Sequence, residues 1–485
     1  MPAPTFDSTP RGILHWARHT PNAVAVIEGD RDHSYGDLAA TVVRYTKALT
    51  ASGVRPGMLV GIECGYRYLH MALIMACELI GAASLSLSEQ DARAPDSGME
   101  RCDFLCLETA GIEPGACVGL LPINQDSIDR IAAIRCDIAD FALLDRRPPD
   151  NAVLRLVKTS GTATGRPKIM AMTHRLTEIL IDRTQMFHDD SGHAWNLVNL
   201  YSFTLRSAWM ESAVALRHGR TIVSATLPTV FDALRRFDSA RLTATSGDAV
   251  RIARSIPPDW PGRRPCAMIV KGGMLQAGVR ACLAERVVER LHNEYAMLEC
   301  FRIAWQDADG VGTLHPDASV RVLRDDGTEA AMGEVGRLDV RSAMMVDGYL
   351  WDEQATRQAF RDGWYRTGDL GYLSTPHTLH VLGRADDMLN LGGNKLSPIP
   401  MEQAMRDLDG VEDAVLIVAP AGDGADMLYV VLEAAHPDTA ERLKPRLIEI
   451  LSGYTEVFRT LVLPQLPRTD TGKPRRTALR EQLSA

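Results

Sequence analysis

Residues 158–168 read KTSGTATGRPK, a run of hydroxyl side chains broken by two glycines and bounded by cations. The backbone N–H groups and hydroxyls of such a loop can surround phosphate oxygens, while lysine and arginine neutralise their charge. The P-loop pattern requires lysine directly after the second glycine, but Arg166 and Pro167 intervene here and exclude it. Clusters of Gly, Ser and Thr are also common in solvated turns. We interpret the segment as a nucleotide phosphate clamp, with a plain surface turn as the alternative.

Apolar runs of strand type alternate with helical spacing on both sides of the clamp. This alternation predicts α/β layers with a largely parallel sheet, in which ligands bind beyond the carboxyl ends of the strands. Gly272 and Gly273 directly follow one such strand. The strand-like runs include residues 23–27, 58–62 and 267–270, and the helical patterns include residues 35–52, 66–80 and 277–291.

The pattern changes twice in the second half of the chain. Strand-like runs at residues 319–323, 336–340 and 378–382 are separated by polar turns, which predicts a small antiparallel sheet. After residue 384 the helical and strand-like runs indicate a compact α+β unit. We therefore predict an α/β protein. Its large N-terminal domain, residues 1–384, contains layered α/β subdomains and the small antiparallel sheet, and a compact, mobile α+β C-terminal domain occupies residues 385–485.

Composition and charge restrict the class of protein. The chain has 485 residues, of which 46% are hydrophobic and 24% charged, and its net charge is −9. This acidity argues against nucleic acid or an anionic membrane as partner, and the first residues lack an apolar signal segment, so we expect a cytoplasmic protein. The nine scattered cysteines are typical of reduced, mostly buried thiols. Cys102 and Cys106 have no companion ligands at zinc spacing, so we expect no metal there.

Six segments resemble, in chain order, the motifs of the acyl-adenylate-forming (ANL) superfamily. This superfamily comprises acyl- and aryl-CoA synthetases, adenylation domains of peptide synthetases and beetle luciferases. The resemblance spans nearly the whole chain, and six motifs in order are more specific than any one alone. The segments are TSGTATGRPK (159–168), NEYAMLE (293–299), GEVGRLDVRSAMMVDGYL (333–350), WYRTGDLGYL (364–373), GRADDMLNLGGNKLSP (383–398) and LPRTDTGKPRRTALR (466–480).

The resemblance implies a reaction in two steps. A carboxylate attacks the α-phosphate of ATP to give an acyl-adenylate and pyrophosphate, and a thiol then displaces AMP. The implied cofactors are ATP and Mg²⁺, with coenzyme A as co-substrate. We therefore expect a ligase that activates an aryl or medium-sized carboxylic acid and transfers it to a thiol.

The resemblance also implies roles for residues around the nucleotide. The glycine pair would let the backbone approach adenine, Tyr295 would stack on that base, and Glu299 would bind Mg²⁺ through oxygen. Asp369 would accept hydrogen bonds from the ribose hydroxyls, and Arg384 would reach the ribose or a phosphate. Without the motifs, Tyr295 would be interpreted as a buried aromatic residue and Glu299 as a surface carboxylate. Asp369 would be interpreted as a turn aspartate and Arg384 as a solvated cation. The implied clamp residues are Thr159, Ser160, Gly161, Thr162, Thr164, Gly165 and Lys168.

The last motif carries the implied catalytic lysine. Lys473 would place its charge where the attacking carboxylate meets the α-phosphate and would stabilise the transition state, although lysines near a terminus are usually only solvated. Asp386 would be the hinge about which the C-terminal domain rotates after adenylation. Gly392 and Gly393 would then face the incoming thiol. This motion is implied by the family alone.

Four positions depart from the usual motifs. The clamp has one additional residue between its glycines, Ile169 replaces a glycine, and Pro400 replaces a glutamate. Leu298 stands where members commonly carry a threonine near the phosphates. Together these changes indicate a specialised pathway enzyme rather than a housekeeping synthetase.

The acid pocket is inferred from positions that flank the motifs. Residues 199–209 contain no aspartate, where members that activate amino acids keep one, so an α-amino acid is disfavoured. Glu294 is interpreted either as a partner for an amino or hydroxyl substituent or as a surface carboxylate. The predicted pocket residues are Tyr201, Phe203, Met274, Glu294, Arg302 and Ile303.

Two other functions remain as alternatives. The first keeps adenylation but delivers the acyl group to a separate carrier protein or an amine, or activates an unusual oxyacid. The second is a non-catalytic relative that binds nucleotide or acyl-AMP, an interpretation suggested by Ala296 and Leu298. The presence of Lys168, Asp369 and Lys473 favours the enzyme.

Overall fold

The computed structural model describes residues 5–94, 96–112, 117, 119–159, 167–189, 195–275, 277–307, 311–391, 394–420, 426–452, 455, 457–468 and 474–484. Every structural statement below refers to these residues. Most of the clamp and residues 469–473 lie outside them.

The first part of the chain forms one sheet and begins a second. In the first sheet the strand order is β6-β5-β3-β4-β7-β8, and neighbours are parallel except for the β7–β8 pair. Short 3-10 turns lie at Met99–Arg101 and Ile138–Asp145. The other elements are α1 (Thr9–His19), β1 (Val24–Glu28), β2 (Arg31–Ser34), α2 (Tyr35–Ala51), β3 (Leu59–Glu63), α3 (Arg67–Ile80), β4 (Ala83–Leu87), α4 (Glu89–Arg93), β5 (Phe104–Leu107), β6 (Gly119–Pro122), α5 (Gln125–Ala132), β7 (Val153–Lys158) and β8 (Ile169–Thr173).

The middle of the chain completes the second, larger sheet. Its elements are α6 (His174–Asp189), β9 (Asn196–Asn199), α7 (Arg206–Arg217), β10 (Ile222–Ser224), α8 (Val230–Arg235), β11 (Ala240–Thr245), α9 (Ser246–Arg254), β12 (Arg264–Lys271), α10 (Ala277–Arg286), β13 (Val288–Met297), β14 (Phe301–Gln306), β15 (Val311–Leu314), β16 (Ala318–Leu323), β17 (Gly336–Ser342), α11 (Glu353–Ala359), β18 (Phe360–Arg361), β19 (Trp364–Thr375) and β20 (Thr378–Arg384). The strand order is β16-β17-β19-β20-β15-β14-β13-β12-β11-β9-β10-β1-β2, with β18 beside β19.

The predicted α/β architecture is confirmed, with two differences in detail. The helical pattern predicted over residues 277–291 ends at Arg286, because the buried, β-branched Val287 and Val288 lead into β13, which pairs with β12. The antiparallel strands do not stand apart as a small sheet. They continue the parallel sheet, since β14 pairs antiparallel with the last parallel strand, β13.

Local sequence signals explain where the early helices begin and end. Ser34 caps α2 by accepting from the backbone N–H of Asp37, and the Asp37 carboxylate accepts from the N–H of Ser34. Gly81 ends α3 with a φ of +87°, a left-handed conformation that glycine adopts without steric cost. The two helices pack side by side, and their apolar faces share one buried core with strands of the first sheet.

Residues after Asp387 pack around their own cores. Strands β23, β24 and β25 form a sheet in that order, β21 pairs with β22, and helices cover the sheet faces. Pro400, which replaces the family's glutamate, lies in the first turn of a helix, where proline is tolerated. The elements are β21 (Leu389–Leu391), β22 (Asn394–Leu396), α12 (Ile399–Arg406), β23 (Asp413–Pro420), β24 (Asp426–Glu433), α13 (Thr439–Leu451), β25 (Phe458–Leu463) and α14 (Arg476–Ser484).

The cysteines match the prediction made from their scattered positions. All nine cysteines lie among the described residues as free thiols, six of them buried, as predicted. Across the described ranges, we find no helix with the length and apolar character that crossing a bilayer requires.

Glu78 on α3 makes stability depend on pH. Burial and the nearby Glu178 together raise the pKa of Glu78 to about 8, against the opposing effect of Arg217 and Arg155. Above the ordinary carboxyl pKa the unfolded chain loses a proton that the folded chain keeps, so stability falls as pH rises towards 8. We expect Glu78→Gln to raise the free energy of unfolding at pH 8 by about 2 kcal/mol. Urea unfolding at pH 5 and pH 8 measures this, and an equal gain at both pH values would contradict it.

Candidate active site

Strands β7 and β8 bring the two ends of the clamp together. The N–H of Thr159 donates to the carbonyl of Lys168 at 2.9 Å, and the N–H of Lys168 donates to Thr159 Oγ1 at 2.9 Å. These bonds close the base of the loop. The other clamp residues predicted from the sequence, which lie outside the described residues, are Ser160, Gly161, Thr162, Thr164 and Gly165.

Lys168, Tyr349 and Glu299 converge beside the base of the clamp. The ammonium of Lys168 lies 4.6 Å from the centroid of the Tyr349 ring, and the Tyr349 hydroxyl donates to Glu299 Oε1 at 2.8 Å. The loop that carries Tyr349 is tied to β8, because the N–H of Leu350 donates to the carbonyl of Ile169 at 2.7 Å. The structure thus brings a predicted clamp cation and the predicted metal ligand to one place.

The Glu299 carboxylate is suited to bind a divalent cation that is also bound by substrate phosphates. Mg²⁺ is usually held by one or two carboxylates together with phosphate oxygens, not by a cage made of protein alone. Tyr349 engages Oε1 of the buried Glu299 and orients the carboxylate. Within the part of the chain described here, no group of three or more His, Cys, Asp or Glu side chains could hold a metal by itself. The residues present therefore fit Mg²⁺ bound together with a nucleotide.

Arg206, at the start of α7, supports this segment and was not identified from the sequence. Its Nη1 donates to the carbonyl of Leu298 at 2.5 Å, and its Nη2 donates to the carbonyl of Met297 at 3.2 Å. Burial lowers the pKa of Arg206 to about 10, while Glu299 opposes the shift, so the guanidinium stays charged at neutral pH. These bonds fix the backbone immediately before Glu299. Since Arg206 lies in none of the six motifs, only the tertiary contacts identify it.

Tyr295, Asp369 and Arg384 form one connected group on β13, β19 and β20. The Tyr295 hydroxyl donates to Asp369 Oδ2 at 2.5 Å, and Arg384 Nε lies 3.7 Å from Asp369 Oδ1. Arg384 Nη1 also donates to the carbonyl of Thr367 at 2.8 Å. Burial raises the pKa of Tyr295, and Asp369 raises it further, so the phenol remains a donor. Three predicted nucleotide residues thus lie together, while adenine stacking by Tyr295 stays a prediction.

The glycine pair lies at the carboxyl end of β12. Gly272 has a φ of +83°, which strongly favours glycine. A Cβ at Gly273 would lie 2.7 Å from Ser246 Oγ, so a side chain there would require the Ser246 hydroxyl to move. The backbone of both glycines is exposed at this end of the sheet, followed by the partly buried Met274.

The predicted acid-pocket residues separate into different surroundings. Tyr201, in the loop after β9, donates from its hydroxyl to Asp248 Oδ2 at 2.6 Å and is thereby held at the start of α9. Phe203 is buried, and its ring lies 6.0 Å from that of Trp209 in a T-shaped contact. Ile303 packs within the core of the antiparallel strands. Tyr201 and Met274 therefore lie at the carboxyl edge of the parallel strands, after β9 and β12.

Glu294 and Arg302 form a buried ion pair. Arg302 Nε lies 2.5 Å from Glu294 Oε1, and both side chains are 1% exposed. The interpretation of Glu294 as a surface carboxylate was therefore wrong. Sequence spacing could not show this, because the two residues meet only through the pairing of β13 with β14.

Three further charged residues join this pair. Lys271 Nζ lies 3.3 Å from Glu294 Oε2 and 3.7 Å from Glu211 Oε1. Arg241 Nε lies 3.2 Å from Glu211 Oε2. None of the three was predicted, and the position of Lys271 directly before the glycine pair is the one sequence signal that could have identified it. We call the following set the buried ionic cluster: Glu211, Arg241, Lys271, Glu294 and Arg302.

The connection to the C-terminal residues lies in a short 3-10 turn, Ala385–Asp387, directly after β20. Asp386, the predicted hinge, is exposed within this turn. The Nε of Arg476 lies 3.7 Å from Asp387 Oδ1. The predicted thiol-step residues Gly392 and Gly393 and the predicted catalytic Lys473 lie outside the described residues.

Comparison with known proteins gives one family match and several similar proteins. Residues 13–97 match the family described as AMP-binding enzyme. A 2-hydroxy-7-methoxy-5-methyl-1-naphthoate–CoA ligase from Streptomyces carzinostaticus is 26% identical over 96% of this chain and 91% of its own length. The amide bond synthetase McbA from Marinactinospora thermotolerans has a similar structure, with a TM-score of 0.80 and 21% identity over 98% of this chain and 99% of that one. The o-succinylbenzoate coenzyme A synthetase from Bacillus subtilis, in complex with ATP and magnesium, gives a TM-score of 0.76 and 21% identity over 96% and 98%.

These similarities extend over nearly the whole chain, and the six motifs lie between residues 159 and 480. Their shared fold is the one described above, a large sheet-rich N-terminal part followed by a smaller C-terminal part. The chain is thus similar in sequence to an aryl-acid CoA ligase and shares its fold with an amide bond synthetase and a coenzyme A synthetase.

Proposed function

We propose that this chain is an ATP-dependent ligase that adenylates a carboxylic acid with release of pyrophosphate and then transfers the acyl group to a thiol, most directly coenzyme A. The observation that carries this proposal is the meeting of Lys168, Tyr349 and Glu299 beside the base of the clamp. A similar protein over most of this chain is a CoA ligase for an aryl acid, which supports the same reaction and an aryl substrate.

Nucleotide binding follows from the groups around β13. Asp369 is held by Tyr295 and Arg384, so its carboxylate can accept hydrogen bonds from the ribose hydroxyls without reorganising. Lys168 supplies a cation for the phosphates. Mg²⁺, bound by Glu299 and the phosphate oxygens, would neutralise negative charge on them. The structure of the B. subtilis synthetase in complex with ATP and magnesium supports the proposal that this chain binds the same two molecules.

We further propose that the chain works as two domains, residues 1–384 and 385–485. The exposed turn that contains Asp386 is the hinge, since a short connection can absorb a large change of backbone angles. Before rotation Lys473 would serve adenylation, and after rotation Gly392 and Gly393 would face the thiol.

An amine or a separate carrier protein is the second candidate acceptor. The similarity to an amide bond synthetase over 98% of this chain favours an amine as the first of these to test. Both alternatives keep the adenylation step and change only the group that attacks the acyl-adenylate.

Product analysis tests the function directly. Purified protein is incubated with ATP, Mg²⁺ and a panel of aryl and medium-sized acids, and pyrophosphate release is measured. The products formed with coenzyme A, a pantetheinylated carrier protein or simple amines are then identified by mass spectrometry. We expect acid-dependent pyrophosphate release and an acyl-thioester with coenzyme A. Nucleotide binding without pyrophosphate release for any acid would instead support the non-catalytic relative.

Replacing Lys473 with alanine tests the assignment of the catalytic lysine. We expect acid-dependent pyrophosphate release to fall about 10²-fold, because a positioned ammonium stabilises the charge that develops at the α-phosphate. Thioester formation from a presynthesised acyl-adenylate should be retained, since that step follows the withdrawal of Lys473. Arg475→Ala removes an exposed cation two positions further on and is the matched control. A loss no larger than that of the control would refute the assignment.

A further inference from the structure

Lys271 is the member of the buried ionic cluster that reaches the open end of the sheet. Its side chain is 17% exposed, whereas those of the other four described members are 1–3% exposed. Lys271 is also the last residue of β12, directly before the exposed glycine pair. Its charge is therefore presented where the strands end, while the charges that fix it are buried beneath.

The strand register places Lys271 in a row of polar side chains. Thr245 on β11, Lys271 on β12 and Glu294 on β13 are direct partners across three parallel strands, so their side chains share one face. Tyr201 joins this row, because the N–H of Thr245 donates to the Tyr201 hydroxyl at 2.6 Å. Ligands of open α/β sheets bind beyond this edge. The row therefore forms one wall of a site at the carboxyl end of the sheet.

The two faces of β13 separate this wall from the nucleotide residues. Successive side chains of a strand point to opposite faces, and Tyr295 contacts Asp369 whereas Glu294 contacts Lys271 and Arg302. An acyl-adenylate lying across the end of β13 would have its nucleotide on the Tyr295 side. Its acyl group would then lie on the Lys271 side.

The chemistry of Lys271 defines what this wall can bind. An ammonium has three N–H donors, and two carboxylate oxygens lie near Nζ, at 3.3 Å on Glu294 and 3.7 Å on Glu211. One donor can therefore point to an acceptor outside the cluster. A plain hydrocarbon placed against this ammonium would leave that donor without water or a partner, which is costly.

We propose that Lys271 is a specificity-determining residue that binds an oxygen substituent of the acid, on the part of the molecule remote from the carboxylate that is activated. The substrate class is an acid that carries a hydroxyl group or a second, ionised carboxylate. This inference rests on the proposed adenylating function and names the substrate of that same site.

The test compares acids that differ in one substituent. Benzoate and naphthoate are paired with derivatives that carry one hydroxyl or one further carboxylate at each ring position, and kcat/KM is measured from pyrophosphate release. We expect the native enzyme to prefer an oxygen-bearing member over its parent acid. Lys271→Met should reduce that preference about 10- to 100-fold, the effect of losing one hydrogen bond to a charged group. Lys444→Met, which changes an exposed lysine on α13, should leave the preference unchanged.

The derivatives also identify the substituent that accepts a hydrogen bond from Lys271. The hydroxyl series tests a neutral group, and the carboxylate series tests an ionised one. A preference that Lys271→Met leaves unchanged, or an equal loss for both members of each pair, would overturn the proposal. If the single variant fails to fold, Lys271→Met with Glu294→Gln removes one charge of each sign and supports the same measurement.

A separate readout distinguishes this inference from the proposed function. If the native protein releases no pyrophosphate with any acid, the proposed function fails. Calorimetry then compares the dissociation constants of paired acids for the native protein and Lys271→Met. A preference for the oxygen-bearing acid that the variant loses supports the role of Lys271, and an unchanged preference or no acid binding overturns it.

Discussion

A Glu299→Gln enzyme is expected to adenylate its acid about 10³-fold more slowly than the native enzyme at saturating ATP and magnesium. A divalent cation at the phosphates contributes several kcal/mol of charge stabilisation, and about 4 kcal/mol corresponds to a 10³-fold change in rate. Glutamine keeps the size of the side chain and an oxygen that accepts from Tyr349, which donates to Oε1 at 2.8 Å in the native protein. The variant therefore removes the charge at this position and little else.

Tyr349→Phe is the matched control for that experiment. Burial raises the pKa of Tyr349, and Glu299 raises it further, so its hydroxyl stays a donor across the working pH range. Removing the hydroxyl leaves the carboxylate charged but less firmly oriented, and we expect a loss of about tenfold, in line with one hydrogen bond to a charged group. Magnesium titrations should show a lower affinity for the metal, and so a higher concentration at half-maximal activity, in Glu299→Gln only. A Glu299→Gln enzyme that stays within tenfold of the native rate would exclude Glu299 as the metal ligand.

The residues assigned to nucleotide binding could be selected from the sequence because they lie in short motifs with fixed local spacing. The structure brings Tyr295, Asp369 and Arg384 into contact, which the motifs implied only through the family. Arg206 was missed for a physical reason: it acts by donating to the carbonyls of residues 297 and 298, and no side-chain pattern in the sequence records such a bond.

Most of the buried ionic cluster was not predicted, because its charges come from separate elements. Glu211 lies on α7 and Arg241 on β11, and Glu211 meets Arg241 and Lys271 only after the parallel strands have paired. From the sequence, Glu294 is expected to be exposed or to face the substrate, because Arg302 and Lys271 reach it only through the pairing of β13 with its two neighbouring strands. The same long-range pairing ended the predicted helix at residue 286, where Val287 and Val288 enter the sheet.

Glu294→Ala is expected to lower the free energy of unfolding by about 3–5 kcal/mol. Removing one partner of a buried ion pair leaves the other charge in a place where water cannot solvate it. Arg302 is 1% exposed and would lose its contact at 2.5 Å, and Lys271 would lose a carboxylate at 3.3 Å. Glu294→Gln should cost less, because its amide oxygen can still accept from Arg302. Equilibrium urea unfolding measures both variants.

An exposed ion pair provides the control, because solvent screens it. Arg446 and Glu449 are 62% and 64% exposed, and Glu449→Ala is expected to cost less than 1 kcal/mol. Burial raises the pKa of Glu294, but Lys271 and Arg302 outweigh it and hold the pKa below its usual value. A lowered folded-state pKa means that the pair stabilises the protein above the ordinary carboxyl pKa and loses this effect as pH falls through the folded value. The difference between native protein and Glu294→Ala should therefore be full at pH 7 and shrink in acid. A cost for Glu294→Ala no larger than that for Glu449→Ala would mean that the cluster does not depend on this carboxylate.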